Sequence, residues 1–282
     1  MSSPVSSFWI YNTMLRENQW GGRGTGFLVF KPNAPGTNEG RVFLITNKHV
    51  LHDEPQLRES VNYVTLHLNV KEVKNTISSK EAEFPTNIGN DTKSYREHPS
   101  QDVDVIAFDI TQLLVEHPLI ESQSVPYGML ATKQLLEEND IKIGDEILVI
   151  GYPLRLKHRT TNFPLVRTGI ISTRIGEELE DEKTEKDGTT RKRTLRGFLI
   201  DGAIIPGSSG SPVVPKPLTM RNVRDRIQMQ TFPVIVLGII AESRYAPIGL
   251  HPMIIFPLLD WDWHSMLKPL RKLLNYFIPD PF

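Results

Sequence analysis

The feature that most limits what this chain can fold into is the spacing of its apolar runs. Gly26–Phe30, Val42–Thr46, Val61–Val70, Val103–Ile110, Glu146–Ile150, Val166–Ser172, Phe198–Ile200, Pro212–Val214 and Val234–Ile240 are each ten residues or fewer. Val, Ile, Phe and Thr dominate them, and 21 prolines and 19 glycines punctuate the chain around them. β-Branched and aromatic side chains fit a pleated surface, and turn residues stop each run before a helical period develops. The alternation Val61-Asn62-Tyr63-Val64-Thr65-Leu66-His67-Leu68 is that of a half-buried strand. The series predicts an all-β protein of antiparallel sandwich or barrel type.

Helical signals are few. Thr132–Asn139 reads as a short helix. In Ser265–Phe277, the positions Leu267, Leu270, Leu273, Leu274 and Phe277 recur every three or four residues, which predicts an amphipathic C-terminal helix packed on the neighbouring sheet. Pro269 fits only in or near its first turn. Three stretches read as loops: Lys31–Gly40, the charged run Glu177–Arg193, expected as a solvated mobile hairpin, and Pro215–Gln230.

Composition removes several function classes. The 282 residues suit two folding units, or one large β domain, against a typical unit of roughly 150 residues. Lys and Arg total 32 against 33 for Asp and Glu, a net charge of −1, so no overall basic field attracts nucleic acid or anionic lipid. With no cysteine there is no disulfide, thiolate metal site or cysteine nucleophile, which fits a reducing compartment. The first ten residues carry no basic n-region and no apolar core, and no stretch approaches the ~18 uncharged apolar residues of a membrane span. The expected location is cytoplasmic.

The segment most specific for chemistry is Asp201-Gly-Ala-Ile-Ile-Pro-Gly-Ser-Ser-Gly-Ser-Pro-Val-Val214. A serine nucleophile on a tight loop must expose its hydroxyl while neighbouring amides converge on one point. Glycine at 207 permits that path, and the amides of Gly207 and Ser209 are placed to hold a developing oxyanion. The competing reading is a plain Gly/Ser hairpin turn. An α/β-hydrolase elbow does not fit, because Ser211 stands where its second glycine belongs and no parallel βαβ pattern exists. A base is needed. His49 follows the apolar run Val42–Thr46 on a polar turn, with His52 as a nearby competitor. An acid is needed to orient it. Asp102-Val-Asp104-Val-Ile-Ala-Phe-Asp109 supplies carboxylates in an apolar strand, and alternation puts Asp102 and Asp104 on one face without choosing between them.

Jointly these segments resemble the chymotrypsin/trypsin-like serine protease superfamily, most closely its disulfide-free bacterial members such as the HtrA-type protease domain. Gly24-Thr-Gly-Phe-Leu-Val29, Ile45-Thr-Asn-Lys-His49-Val, Asp104-Val-Ile-Ala, Gly144-Asp-Glu-Ile-Leu-Val-Ile-Gly-Tyr-Pro153, Thr168-Gly-Ile-Ile-Ser172, Asp201–Pro212 and Val236-Leu-Gly-Ile-Ile240 occur in family order between about residues 20 and 258. The resemblance implies two six-stranded antiparallel barrels with a C-terminal helix. The N-terminal barrel, 8–120, would carry His49 and Asp104. The C-terminal barrel, 121–260, would carry Ser209, and 261–282 would form the helix and tail. It implies a serine endopeptidase with nucleophile Ser209, base His49 and acid Asp104, with Asp102 as runner-up, a polypeptide substrate and no cofactor or metal. A base must be neutral to act, and free imidazole titrates near pH ~6.5, so turnover is expected to rise with pH near neutrality.

Asn47 replaces the family's alanine before the histidine, and Ser211 replaces its second glycine, adding a Cβ expected to narrow the cleft. Arg155–Phe198 and Pro212–Thr231 are longer than in minimal members. For the P1 pocket, Ala203 stands where trypsin-type enzymes carry an acid, and Ile204, Ile239, Ile240 and Ala241 are expected as walls. Such a pocket favours a small or medium aliphatic P1, with Asp201 the rival specificity acid. The alternative function is a catalytically silent trypsin-fold binding or regulatory module.

Overall fold

The computed structural model describes residues 13–18, 23–51, 63–71, 79–87, 95–100, 103–156, 161–184, 188–195, 197–202, 207–217, 221–223, 226–228, 235–243 and 253–256. The expected C-terminal helix lies outside these residues, as do His52, Asp102, Ala203 and Ile204.

Strands dominate. The first nine are β1 (Thr13–Asn18), β2 (Arg23–Pro32), β3 (Gly40–Thr46), β4 (Tyr63–Lys71), β5 (Ser79–Asn87), β6 (Tyr95–Glu97), β7 (Ile106–Asp109), β8 (Ile120–Glu121) and β9 (Val125–Pro126). They form one sheet in the order β5-β4-β1-β2-β3-β7-β6, with β8 on β4 and β9 on β2. The next ten are β10 (Glu146–Gly151), β11 (Leu165–Ile171), β12 (Leu179–Thr184), β13 (Thr190–Leu195), β14 (Phe198–Gly202), β15 (Pro212–Pro215), β16 (Arg221–Val223), β17 (Arg226–Gln228), β18 (Gly238–Ser243) and β19 (Met253–Phe256). Six of them close into a barrel, β10-β11-β14-β19-β18-β15. The all-β architecture is therefore present, with six-stranded closure in the second half. In the first half, among the described residues, the strands make a nine-stranded sheet with β5 and β6 at opposite ends of the path.

Period-2 alternation explains why the long apolar runs are apolar on both faces. Along β10, Ile147 and Val149 join the cluster inside the closed barrel with Ile171, Phe198, Ile200, Val213 and Ile240. Leu148 and Ile150 point the other way, into a second cluster shared with Phe27, Val29, Phe43 and Ile45 of the first sheet. Leu28, Leu44, Ile106 and Phe108 face a third cluster with Leu66 and Leu68 of β4. The middle cluster thus joins the two halves, and β2, β3 and β10 each have one face in it.

Local signals fare variously. Thr132 caps helix α3 (Lys133–Glu138) by accepting the Leu135 N–H at 3.1 Å. Two other short helices are α1 (Lys48–Leu51) and α2 (Thr111–Glu116). Of the expected loop Lys31–Gly40, Lys31 and Pro32 end β2 and Gly40 opens β3, and residues 33–39 form the connection, closed by Asn33 N–H to Glu39 C=O at 2.9 Å. The charged run is the β12–β13 hairpin, whose register sets Asp181 opposite Arg193 and Glu182 opposite Lys192. Its first residue, Leu179, packs on the middle cluster, so the base of the hairpin belongs to the body of the protein. The stretch 215–230 contains the three-residue strands β16 and β17, too short to leave a periodic trace in sequence.

Candidate active site

His49 lies just past β3. Phe43, Leu44 and Ile45 are buried on both faces, which fixes the strand and delivers its polar end, Thr46-Asn47-Lys48, to the junction of the two halves. The chain then turns into α1, and the His49 side chain remains 46% exposed. Asp104 stands two residues before β7 begins, in an extended lead and not in the strand itself. Its Oδ2 is hydrogen-bonded to His49 Nδ1. Its Oδ1 accepts the His49 backbone N–H at 3.0 Å. A carboxylate only accepts, so this contact puts an imidazole proton on Nδ1, and in the neutral ring Nε2 then keeps its lone pair. Nε2 is 3.0 Å from Ser209 Oγ. Three side chains far apart in sequence therefore meet in one line, Asp104–His49–Ser209. Asp109, the third carboxylate of that run, does other work: it pairs with Arg41 at 2.7 Å and accepts the Thr111 N–H at 3.0 Å where α2 starts.

Ser209 sits between two glycines in the left-handed region, Gly207 at φ +91° and Gly210 at φ +81°. L-residues with a Cβ rarely adopt such angles. At Gly210 a Cβ would also meet the Thr25 carbonyl oxygen, and at Gly207 the Tyr152 carbonyl oxygen at 2.7 Å. The Ser208 carbonyl accepts from Ser211 N–H at 2.9 Å, and Gly210 N–H donates to Ile240 C=O at 2.9 Å. In a trans peptide the N–H opposes the C=O. With the Ser208 carbonyl turned toward Ser211, the Ser209 amide points the opposite way.

Thr25, fully buried in β2, holds this loop from the first half. Its N–H donates to Ser209 C=O at 2.8 Å. Its hydroxyl donates to Gly207 C=O at 3.3 Å and accepts Tyr152 N–H at 3.1 Å. Its carbonyl accepts from the Thr46 hydroxyl at 2.7 Å. On the other side, Arg167 Nη1 donates to the Ser208 hydroxyl at 2.9 Å.

The described part of the expected pocket wall is core. Ile239 and Ala241 belong to the middle cluster and Ile240 to the barrel interior. All three are buried, so their side chains are not an open wall; consecutive strand residues face opposite ways, and both sides here are packed. Ser211 is likewise fully buried, and its hydroxyl fills the space a Cβ on Gly151 would take. It packs away from the cleft instead of narrowing it.

A family model described as the trypsin-like peptidase domain matches residues 24–216, a span that includes His49, Asp104 and Ser209. The chain belongs to the trypsin-like peptidase family. No curated protein matches this peptidase in sequence. Among solved structures, the inactive form of the Rv3671c protease is 17% identical with a TM-score of 0.45, covering 95% of this chain and 92% of that one. The active form of the Rv3671c protease from M. tuberculosis is 15% identical with a TM-score of 0.47, covering 94% and 83%. Deg5 is 15% identical with a TM-score of 0.46, covering 95% and 90%.

Several residues of the peptidase's site left little trace in sequence. Asn47 stood out only as a departure. Its side-chain N–H donates to the Asp104 carbonyl at 2.7 Å, so it holds the acid's backbone. Lys48, buried, donates from Nζ to His98 C=O at 2.9 Å and to Ser100 C=O at 3.1 Å, tying the approach to Asp104 onto the histidine turn. A buried network links the halves behind the serine loop. Asn162 N–H donates to Asn69 Oδ1 at 2.8 Å, and Asn69 Nδ2 donates to Asn162 C=O at 3.1 Å. Tyr152 OH donates to the same carbonyl at 2.8 Å, and the Asn162 amide side chain donates to His67 C=O. His67 Nδ1 is 2.8 Å from Glu81 Oε1. Burial first, and the Glu81 charge second, push the Tyr152 phenol well above its usual range, keeping it a donor. Such polar groups look like surface residues in a sequence and become structural once buried together.

Proposed function

We propose that the chain is a serine endopeptidase in which Ser209 is the nucleophile, His49 the general base and then acid, and Asp104 the residue that orients the imidazole. The observation that carries this reading is the hydrogen-bonded line from Asp104 through His49 Nδ1 to Nε2, 3.0 Å from Ser209 Oγ. Ser209 Oγ attacks a peptide carbonyl as its proton passes to Nε2. The tetrahedral oxyanion is held by the amides of Gly207 and Ser209. The C–N bond breaks, the amine leaves with the proton returned from His49, and water activated by His49 hydrolyses the acyl-serine. The orientation of the Ser208 carbonyl toward Ser211 supports the Ser209 amide in the oxyanion role.

The substrate class is polypeptide. A P1 preference for small or medium aliphatic residues is supported by alanine at position 203 and isoleucine at 204, since an apolar pocket without an acid does not offset desolvation of Lys or Arg. The test is labelling of the purified chain with a fluorophosphonate probe together with cleavage of a peptide panel. Labelling of Ser209 and cleavage after Ala or Val, both lost in Ser209→Ala, are the expected results. An unlabelled chain that cleaves nothing marks a silent module, and efficient cleavage after Arg removes the P1 assignment.

A further inference from the structure

Arg167 occupies a position that the mechanism above does not use. On β11, Val166, Thr168 and Ile170 are exposed, while Arg167, Gly169 and Ile171 alternate toward the barrel side. A guanidinium on the inward face loses hydration, and burial pushes the Arg167 pKa down to about 10. Desolvating a half-buried cation is costly unless it finds hydrogen-bond acceptors. Here Nη1 donates to the hydroxyl of Ser208, a side chain only 2% exposed. Ser208 lies between Gly207 and Ser209, the two residues assigned to the oxyanion site.

This rests on the peptidase reading. We infer that Arg167 is a positioning residue that fixes the oxyanion-forming loop through the Ser208 side chain. The loop needs such a fixture. Both of its glycines adopt left-handed angles, and glycine passes between backbone states more freely than any other residue. If the Ser208–Ser209 peptide turned over, the bond from Ser211 N–H to Ser208 C=O would break and the Ser209 amide would leave the cleft. Thr25 holds the two flanking carbonyls, Gly207 and Ser209, from the first half. Arg167 holds the residue between them from the second. Its planar fork makes a charge-assisted bond, stronger than a neutral one. It stands on a paired strand, opposite Val149 of β10, and not on a loop.

The experiment uses the full chain and a quenched-fluorescence peptide with Val at P1 that the wild type cleaves in a Ser209-dependent way. Arg167→Met, Arg167→Lys, Ser208→Ala and the double variant Arg167→Met/Ser208→Ala are compared, with melting curves as the check on folding. The expected results are a fall in kcat of about tenfold or more for Arg167→Met, because a misaligned oxyanion donor acts on the transition state, with KM changed by less than about twofold. The double variant should be no slower than the slower single variant, since both changes remove the shared Arg167–Ser208 bond. Arg167→Lys should recover part of the loss. A folded Arg167→Met with wild-type kcat overturns the inference, as do effects that multiply in the double variant. If Arg167→Met does not fold, Ser208→Ala decides alone, because it removes the hydroxyl that accepts from Arg167 and leaves the guanidinium in place: unchanged kcat overturns the link. Ser209-dependent turnover that is indifferent to these changes overturns this inference and leaves the peptidase reading standing. A wild type without Ser209-dependent turnover overturns both.

Discussion

At the scale of single residues, the site is set by atoms that have no room to be otherwise. Gly210 combines a left-handed φ with a Cβ position occupied by the Thr25 carbonyl. Gly210→Ala therefore strains the backbone by roughly 1–2 kcal/mol before the clash is added, and a melting point several degrees lower together with loss of turnover is the expected outcome. Wild-type stability and activity in that variant would mean the loop adopts another path. Thr25 is the second such residue. Thr25→Val keeps the shape but deletes the hydroxyl that bonds Gly207 C=O and Tyr152 N–H. The loss is about 1–3 kcal/mol, since a buried donor and acceptor both become unpaired, whereas Thr25→Ser keeps the bonds and most of the stability. Chemical denaturation of the two variants separates the hydroxyl from the shape. The histidine and serine motifs were legible in sequence because each couples a reacting side chain to a fixed local frame. Alternation gives Asp104 and Asp102 the same face and does not choose between them; only the family resemblance favoured Asp104, and the observed contact is with Asp104.

At the scale of elements, the decisive feature is the buried polar junction of β4 with Tyr152 and Asn162. Tyr152 lies at its centre, fully buried, with its hydroxyl on Asn162 C=O. Tyr152→Phe removes that bond and costs about 0.5–1.5 kcal/mol at neutral pH. The same residue makes an alkaline prediction. Its folded-state pKa lies above the usual 10.0, so above that pH the unfolded chain loses the phenolic proton while the folded chain keeps it. Fewer protons are then bound unfolded than folded, and stability falls as pH rises. Denaturation curves between pH 9 and 11 should show a steeper loss for the wild type than for Tyr152→Phe. Equal slopes would show that the phenol titrates alike in both states. Helix α3 was readable from its Thr132 cap and strand β2 from its run of buried residues. The hairpin β16–β17 was not, since three-residue strands carry no measurable period.

At the scale of the whole molecule, the two halves share the middle apolar cluster, to which β2, β3, β10, β15 and β18 all contribute. Shared burial couples their unfolding. Ile150 is fully buried in that cluster, and Ile150→Ala should cost about 2–5 kcal/mol. Far-UV circular dichroism and scanning calorimetry should report one coincident transition in the wild type and in the variant. Two separated transitions would show that the halves unfold independently. The line Asp104–His49–Ser209 bridges the same junction, so a variant that loosens the cluster should lower turnover before it unfolds the chain.

Strand-forming runs, turn residues and the serine and histidine frames follow from local chemistry, and the amino-acid order alone determined the all-β class, the Ser209 and His49 candidates and their family. Which carboxylate reaches the imidazole, which isoleucines are core instead of pocket wall, and which polar residues hold the serine loop depend on contacts between distant positions, such as Thr25 with Gly207, 182 residues apart. Those were decided only when two sheets closed on one another. A hydrogen bond between distant residues has no periodicity to betray it, and its strength appears only after water has been excluded.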